Sequence, residues 1–155
     1  MKVQIRTATL KDLTLITALN QELFDFEETL AHDYNLDWPK SDIGQKYFKK
    51  SITNSAFLTL IAEVDGEPAG YIISYIALYP YRRINPICEI DTMIVIEKYR
   101  NLGIGTKLVA EIKKFAKRNN AKVIRVGAIA QNGQAVQFYK KNGFAETNIY
   151  LETKV

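Results

Sequence analysis

The chain has 155 residues, 47% of them hydrophobic and 25% charged, a balance that fits one globular domain spanning residues 1–155. No stretch approaches the roughly 20 apolar residues of a membrane span, the Met1-Lys2-Val3 start lacks a signal-peptide core, and a lone Cys88 excludes an internal disulfide. A cytoplasmic protein is expected. The net charge of +4 is uneven: residues 97–141 hold eleven Lys/Arg against two acids, whereas residues 1–96 hold nine against thirteen.

In chain order, Val3 to Ala8 alternates as a strand, and Thr9 to Asp12 makes a capping-box-like start for a helix carrying Leu13, Ile16 and Leu19. Asn20 to Asp42 reads as the end of that helix, a loop and the approach to a second helix over Asp42–Ile52. Ala56–Val64 and Ala69–Leu78 read as strands joined through Asp65-Gly66-Glu67, a hairpin signal. After a loop from Pro80 to Pro86, Ile87–Ile96 is the next strand. Ile104, Leu108, Ile112, Phe115 and Ala116 then form the apolar face of a helix. Lys122–Ala128 reads as a buried strand, Gly133–Lys141 as a short helix ended by Asn142-Gly143, and Ala145–Leu151 as a final strand. Antiparallel strands followed by strand–helix alternation imply an α/β (α+β) fold: a mixed, mostly antiparallel sheet with helices on both faces.

Chemistry concentrates after the fourth strand, in Tyr99-Arg100-Asn101-Leu102-Gly103-Ile104-Gly105-Thr106. A strand that hands over to a helix through two glycines leaves free backbone N–H groups at the positive end of the helix dipole, which is an anion cradle. A side chain at either glycine would stand in the way of a phosphate, and the Arg100 guanidinium could close over it. The Walker pattern is missing, and Leu108 occupies the position where the dinucleotide fingerprint needs a third small residue.

Arg-x-x-Gly-x-Gly resembles instead the pyrophosphate loop of the GCN5-related N-acetyltransferase (GNAT) superfamily. Glu89-Ile90-Asp91-Thr92-Met93-Ile94-Val95 is similar to that family's fourth strand, and Asn132-Gly133-Gln134-Ala135-Val136-Gln137-Phe138-Tyr139 with Gly143-Phe144 is similar to its second signature. The likeness is specific from Glu89 to Phe144. It implies the acyl-CoA N-acyltransferase fold, acetyl-CoA as acetyl donor, no metal, and direct transfer to a primary amine. It further implies that Met93, Ile94, Val95, Arg100, Asn101, Leu102, Gly103, Ile104, Gly105, Thr106, Asn132 and Lys141 bind the cofactor. Tyr139 is then the candidate general acid, since a phenol can protonate a departing thiolate.

Glu89 and Asp91 share a period-two face running on to Val95, with Met93 between. Carboxylates on a strand otherwise rich in Ile, Met and Val must be wet or paired, and either could take the acceptor's proton. Asn132 is also a natural helix N-cap. Either Phe138 or Tyr139 should bury while the other turns to a cleft, because adjacent helix residues do not share a face. His32, in a polar acidic segment, reads as a surface residue, and Cys88 as a small buried hydrophobe. Seven acids between Glu22 and Asp42, against Lys40 alone, would concentrate a cationic acceptor such as a polyamine, an aminoglycoside-like compound or a peptide amino terminus. Two other readings stand beside this one: a catalytically silent coenzyme A-binding regulatory module, and a basic nucleic-acid-binding domain that no helix-turn-helix or zinc-ligand set supports. No membrane partner is expected, and homodimer formation is left open.

Overall fold

The computed structural model describes residues 1–155. Five strands lie in sequential order β1 (Val3–Thr7), β2 (Phe57–Val64), β3 (Glu67–Ala77), β4 (Ile87–Val95) and β5 (Val123–Val126), antiparallel except for the parallel pair β4–β5. The mixed sheet expected from sequence is therefore present. The β2–β3 hairpin closes through Asp65 and Gly66 alone, both at positive φ (51° and 87°), the geometry of a two-residue turn that follows strand twist.

Helices α1 (Leu13–Ala31) and α2 (Asp42–Thr53) cover one face, where Ile16, Leu19, Leu23 and Phe48 pack on Ile61, Tyr71, Ile73 and Ile94. Helix α3 (Ile104–Arg118) and helix α4 (Gly133–Lys141) cover the other, where Ile104, Leu108, Ile112, Phe115 and Tyr139 pack on Leu60, Ile72, Cys88 and Ile90. At the chain start, the Asp12 carboxylate accepts from the Thr9 N–H at 2.7 Å and receives Arg6 through two hydrogen bonds, so the expected capping box is also an ion pair.

Four expectations need correction. Helix α1 runs through Ala31, because Asn20–Ala31 contains neither Gly nor Pro to stop it, and four of the seven acids sit on the helix rather than in a loop. β5 is only Val123–Val126 and is half-buried along its length, because it is an edge strand covered on one side. Ala145–Leu151 joins no ladder, since no strand of the protomer lies beside it.

The fourth correction bears on the site. Opposite β4, Ile73 pairs with Thr92 while Ser74 pairs with Ile90, so Asp91 is the extra residue of a β-bulge. The bulge flips the alternation. Cys88 and Ile90 pack toward α3 before it, and Met93 and Val95 do so after it. Glu89 and Asp91 both turn to the α1–α2 face, but Met93 and Val95 do not share it.

Candidate active site

The pairing of β4 with β5 runs from Ile87–Val123 to Ile90–Val126 and stops there, while β4 continues to Val95. Beyond the bulge the two parallel strands therefore diverge and leave a wedge whose β4 side has free backbone groups. Ile96 N–H donates to Ala69 O, which sets Ile94 toward β3 as well. By alternation the N–H and C=O groups of Met93 and Val95 face the wedge. Of the three expected backbone contacts, Ile94 is thus committed to β3. Val95 O accepts from Arg100 Nε at 3.0 Å, so Arg100 folds back on the strand end with its guanidinium 5.9 Å from the Phe26 ring.

The wedge points at the start of α3. Asn101 (φ 62°) and Gly103 (φ 76°, ψ 6°) both take left-handed backbone, which turns the chain sharply into the helix. Gly103 occupies the N-cap without a side chain, so the first-turn N–H groups of Ile104, Gly105 and Thr106 have no cap and face outward. A Cβ at Gly103 would meet open space. One at Gly105 would sit 2.9 Å from Cε2 and Cζ of Phe138. The two glycines therefore differ in role: Gly103 makes the turn at the cradle, and Gly105 lets α4 dock on α3. The sequence reading, in which both glycines keep a phosphate path clear, does not include the packing of Phe138 on Gly105. Leu102 and Thr106 are exposed at the mouth, and Ile104 is buried beneath it.

Asn132 caps α4, its Oδ1 accepting from Ala135 N–H at 3.1 Å. Phe138 lies on Gly105 and is half-buried, whereas Tyr139 is buried against Phe138 and Phe144 with ring centroids 5.1 and 5.4 Å away. Burial is the main cause holding the Tyr139 hydroxyl well above the usual phenol range, with the Glu27 charge adding to it. Tyr139 comes from the α3–α4 side of the sheet and Glu27 from the α1 side. Lys141 stands apart: it is exposed at the far end of α4, where Asn142 O accepts from Lys113, about two turns along α3 from the cradle.

The two β4 carboxylates have separate fates. Glu89 is 8% exposed and accepts from Arg125 Nε at 2.9 and 3.2 Å and from the Tyr79 hydroxyl at 2.9 Å. Arg125 also lies 4.8 Å from the Tyr79 ring. So engaged, Glu89 has a structural role and is withdrawn as a base candidate. Asp91 has no cationic partner, and its carboxylate accepts only from the Tyr47 hydroxyl. Its surroundings of tyrosine rings and the charge of Glu89 raise its carboxyl above the ordinary range, with desolvation the largest cause, while the Tyr47 hydrogen bond pulls it down.

Sequence reasoning counted Glu27 only as one of seven acids that would concentrate a cationic acceptor and did not single it out as an inward residue. Its spacing was the available signal, because it continues the buried stripe Ile16, Asn20, Leu23 at +4 and +3 residues. Burial raises its carboxyl, and the nearby Tyr34 side chain pulls it back down. Phe24 packs between Tyr34 (4.9 Å) and Trp38 (5.7 Å), and Trp38 continues to Tyr47 (5.7 Å). An aromatic wall thus links the end of α1 to Asp91. His32 is exposed at the α1 C-cap, Cys88 is buried, and no group of His, Cys, Asp and Glu could hold a metal ion.

The chain is similar to several known proteins. A relative in Methanocaldococcus jannaschii, an uncharacterized N-acetyltransferase, is 25% identical over 94% of this chain, which spans 64% of that protein's length. An N-alpha-acetyltransferase of Sulfolobus acidocaldarius is 26% identical (94% of this chain, 82% of that one), and an aminoglycoside N(6')-acetyltransferase type 1 of Klebsiella pneumoniae is 25% identical (92% and 79%). A predicted acetyltransferase of Clostridium acetobutylicum, solved with acetyl-CoA, shares the fold at a TM-score of 0.79 with 23% identity, covering 99% of this chain and 96% of that one. The model of the acetyltransferase (GNAT) family matches residues 20–144, and the chain belongs to that family.

Proposed function

We propose that the protein is an acetyl-CoA-dependent N-acetyltransferase that moves an acetyl group directly to a primary amine. The observation that carries this reading is the wedge beside β4, which runs into an uncapped helix N-terminus, with Tyr139 buried in the cluster that Ile104, Met93 and Val95 join. The donor set fits the cofactor: amide-like edges suit the free backbone groups of Met93 and Val95, and a diphosphate suits Asn101–Thr106. Acetyl-CoA supplies the activated acetyl thioester when bound.

Asp91 accepts the proton that the acceptor ammonium must lose before its nitrogen can attack, and its raised carboxyl makes it a better base than an ordinary aspartate. A backbone N–H at Met93 or Val95 is placed to stabilise negative charge on the acetyl oxygen. Tyr139 keeps its proton at neutral pH, because burial raises its hydroxyl, and delivers that proton to the leaving sulfur. Asn132 acts chiefly as a helix cap. The acceptor is cationic: Asp91, bonded to Tyr47, stands at the end of an aromatic wall of Tyr47, Trp38, Phe24 and Tyr34, and a carboxylate beside aromatic rings attracts an ammonium. Relatives named for aminoglycoside and N-alpha acetylation agree with an amine acceptor.

Calorimetry with acetyl-CoA, followed by a screen of polyamines, aminoglycosides and short peptides read by free-thiol release, tests the proposal. Binding at micromolar to submillimolar ligand with amine-dependent thiol release is expected. No binding at millimolar acetyl-CoA overturns the reading.

A further inference from the structure

The loop between β3 and β4, residues 78–86, takes no part in the cofactor wedge and yet has a fixed shape. The Asn85 side chain accepts from the Tyr79 N–H at 2.9 Å, donates to Tyr79 O at 2.8 Å and donates again to Arg82 O. The Arg82 N–H closes a turn onto Tyr79 O at 2.9 Å. This frame presents Tyr81 and Ile84, which are 79% and 50% exposed. It also presents Arg82 and Arg83, which with Ile84 line an open recess of about 450 Å³ and form no ion pair with any acid of the chain. Two adjacent guanidiniums without a counter-charge, held on a preorganised loop, are suited to carboxylates.

The loop ends a strip of sheet that begins at Asp91. Helices α1 and α2 cover Tyr71 and Ile73 of β3, but the next side chain on that face, Tyr75, is only half-buried. Tyr75 lies opposite Glu89 and packs on Phe57 at 5.3 Å, and Phe57 packs on Tyr47, the partner of Asp91. Glu89 in turn holds Arg125 and the Tyr79 hydroxyl, and the Tyr79 ring reaches Tyr81 at 5.8 Å. Charge changes sign along this strip. Asp91 at one end lacks a cation, the Glu89–Arg125 pair in the middle is neutral, and Arg82 and Arg83 at the other end lack an anion. The extended strand from Asp91 back to Ile87 puts the start of the loop about 13 Å from Asp91. An acceptor whose ammonium meets Asp91 therefore lays its far end among arginines, where a second cation is repelled and a carboxylate is held.

We propose that the acceptor is the amino terminus of a peptide chain with acidic residues at about positions four to six, whose carboxylates Arg82 and Arg83 hold. This rests on Asp91 receiving the acceptor ammonium, as in the proposed function. A span of about 13 Å takes roughly four residues of extended peptide, which brings the side chains that follow to the arginines. Tyr75 and Tyr79 lie along the way, and Tyr81 and Ile84 offer apolar contact beside the two charges. Polyamines and aminoglycosides carry positive charge at both ends and fit such a strip less well.

Two peptides that differ only in glutamate or glutamine at those positions test this in two assays of the full chain. One reads thiol release with acetyl-CoA, and the other reads binding of the labelled peptides by fluorescence anisotropy. The glutamate peptide should show kcat/KM roughly 5–10-fold above the glutamine peptide, through KM, and should bind tighter by the same factor. The double variant Arg82→Gln, Arg83→Gln should erase that difference in both assays, with the circular dichroism of wild type because neither arginine belongs to the core. A polyamine should fall below the glutamate peptide in kcat/KM. The binding assay needs no turnover, so an arginine-dependent preference for glutamate without any thiol release would uphold the role of the loop and overturn acetyl transfer instead. Equal use of the two peptides, a preference that survives the double variant, or a polyamine preferred to the glutamate peptide overturns the proposal. So does displacement of the bound glutamate peptide by single-stranded DNA at lower concentration than by the unlabelled peptide, which would assign the arginines to nucleic acid.

Discussion

The two halves of β4 carry the same kinds of residue and do different work. From Ile87 to Ile90 the strand is paired on both sides, and its carboxylate, Glu89, is neutralised by Arg125 and Tyr79. From Asp91 to Val95 it is paired only with β3, and its carboxylate meets a single hydroxyl. One inserted residue separates these halves. A regular strand would have kept β4 and β5 together with every backbone group satisfied, and a sheet so complete offers nothing to a ligand. The bulge ends the pairing and leaves a carboxylate beside the opening, so the part of the strand that departs from regularity is the part that can do chemistry.

The strongest way to break that comparison is to exchange the two carboxylates' fates by substitution. Asp91→Asn should lower kcat by roughly 10²–10⁴-fold, the range for losing a general base, with little change in urea midpoint because Asp91 has no ion-pair partner and the asparagine oxygen can still accept from the Tyr47 hydroxyl. Steady-state kinetics beside equilibrium unfolding reads both. Glu89→Gln should do the reverse, costing about 2–3 kcal/mol of stability by leaving Arg125 without its anion, a value kept low because Arg125 is itself 31% exposed. If Asp91→Asn retained full turnover, or Glu89→Gln abolished it in a folded enzyme, the division of labour along β4 would be wrong.

How much of this could be read from the chain alone depended on what kind of signal each feature leaves. The cradle was legible because glycine at a strand–helix junction has few other uses, and the α3 stripe from Ile104 to Ala116 because its period is unbroken. The bulge at Asp91 was not. It depends on how β3 faces β4, and alternation read along one strand places Met93 and Val95 on the wrong side. Gly105 was misread for a related reason: only the fold brings Phe138 against it. Glu27 was legible in principle, as the next step of the Ile16–Asn20–Leu23 stripe, but the density of acids around it hid an inward charge among outward ones. The segment 145–151 was misread as a strand, because alternation along one segment does not say whether another strand lies beside it.

The glycine pair gives a smaller test of the same contrast between packing and ligand contact. Gly105→Ala should cost about 1–2 kcal/mol, since its Cβ overlaps the Phe138 ring, and should lower kcat by displacing the neighbouring Tyr139. Gly103→Ala should cost about 1 kcal/mol through its positive φ and act mainly on coenzyme A affinity. Thermal unfolding and calorimetry on each variant separate the two, and equal effects from both would remove the distinction.

The mildest and most specific test concerns pH. Asp91 must be ionised to accept a proton, so the rate should fall as pH drops through its pKa, and desolvation places that fall above the ordinary carboxylate range near 4. The Tyr47 hydroxyl donates to the charged form and so holds the pKa down. Tyr47→Phe removes that donor while keeping the ring in the aromatic wall, where it packs between Trp38 and Phe57. The sign follows: with the charged form less stabilised, the acid limb of kcat/KM should move to higher pH, with the plateau at alkaline pH nearly unchanged. A Glu89 base would give a different result, because Tyr47 makes no contact with it and the limb would stay in place. Movement of the limb toward acid would show that the hydroxyl serves the neutral carboxyl instead, and Asp91 would then be a hydrogen-bond donor to the acceptor rather than the group that deprotonates it.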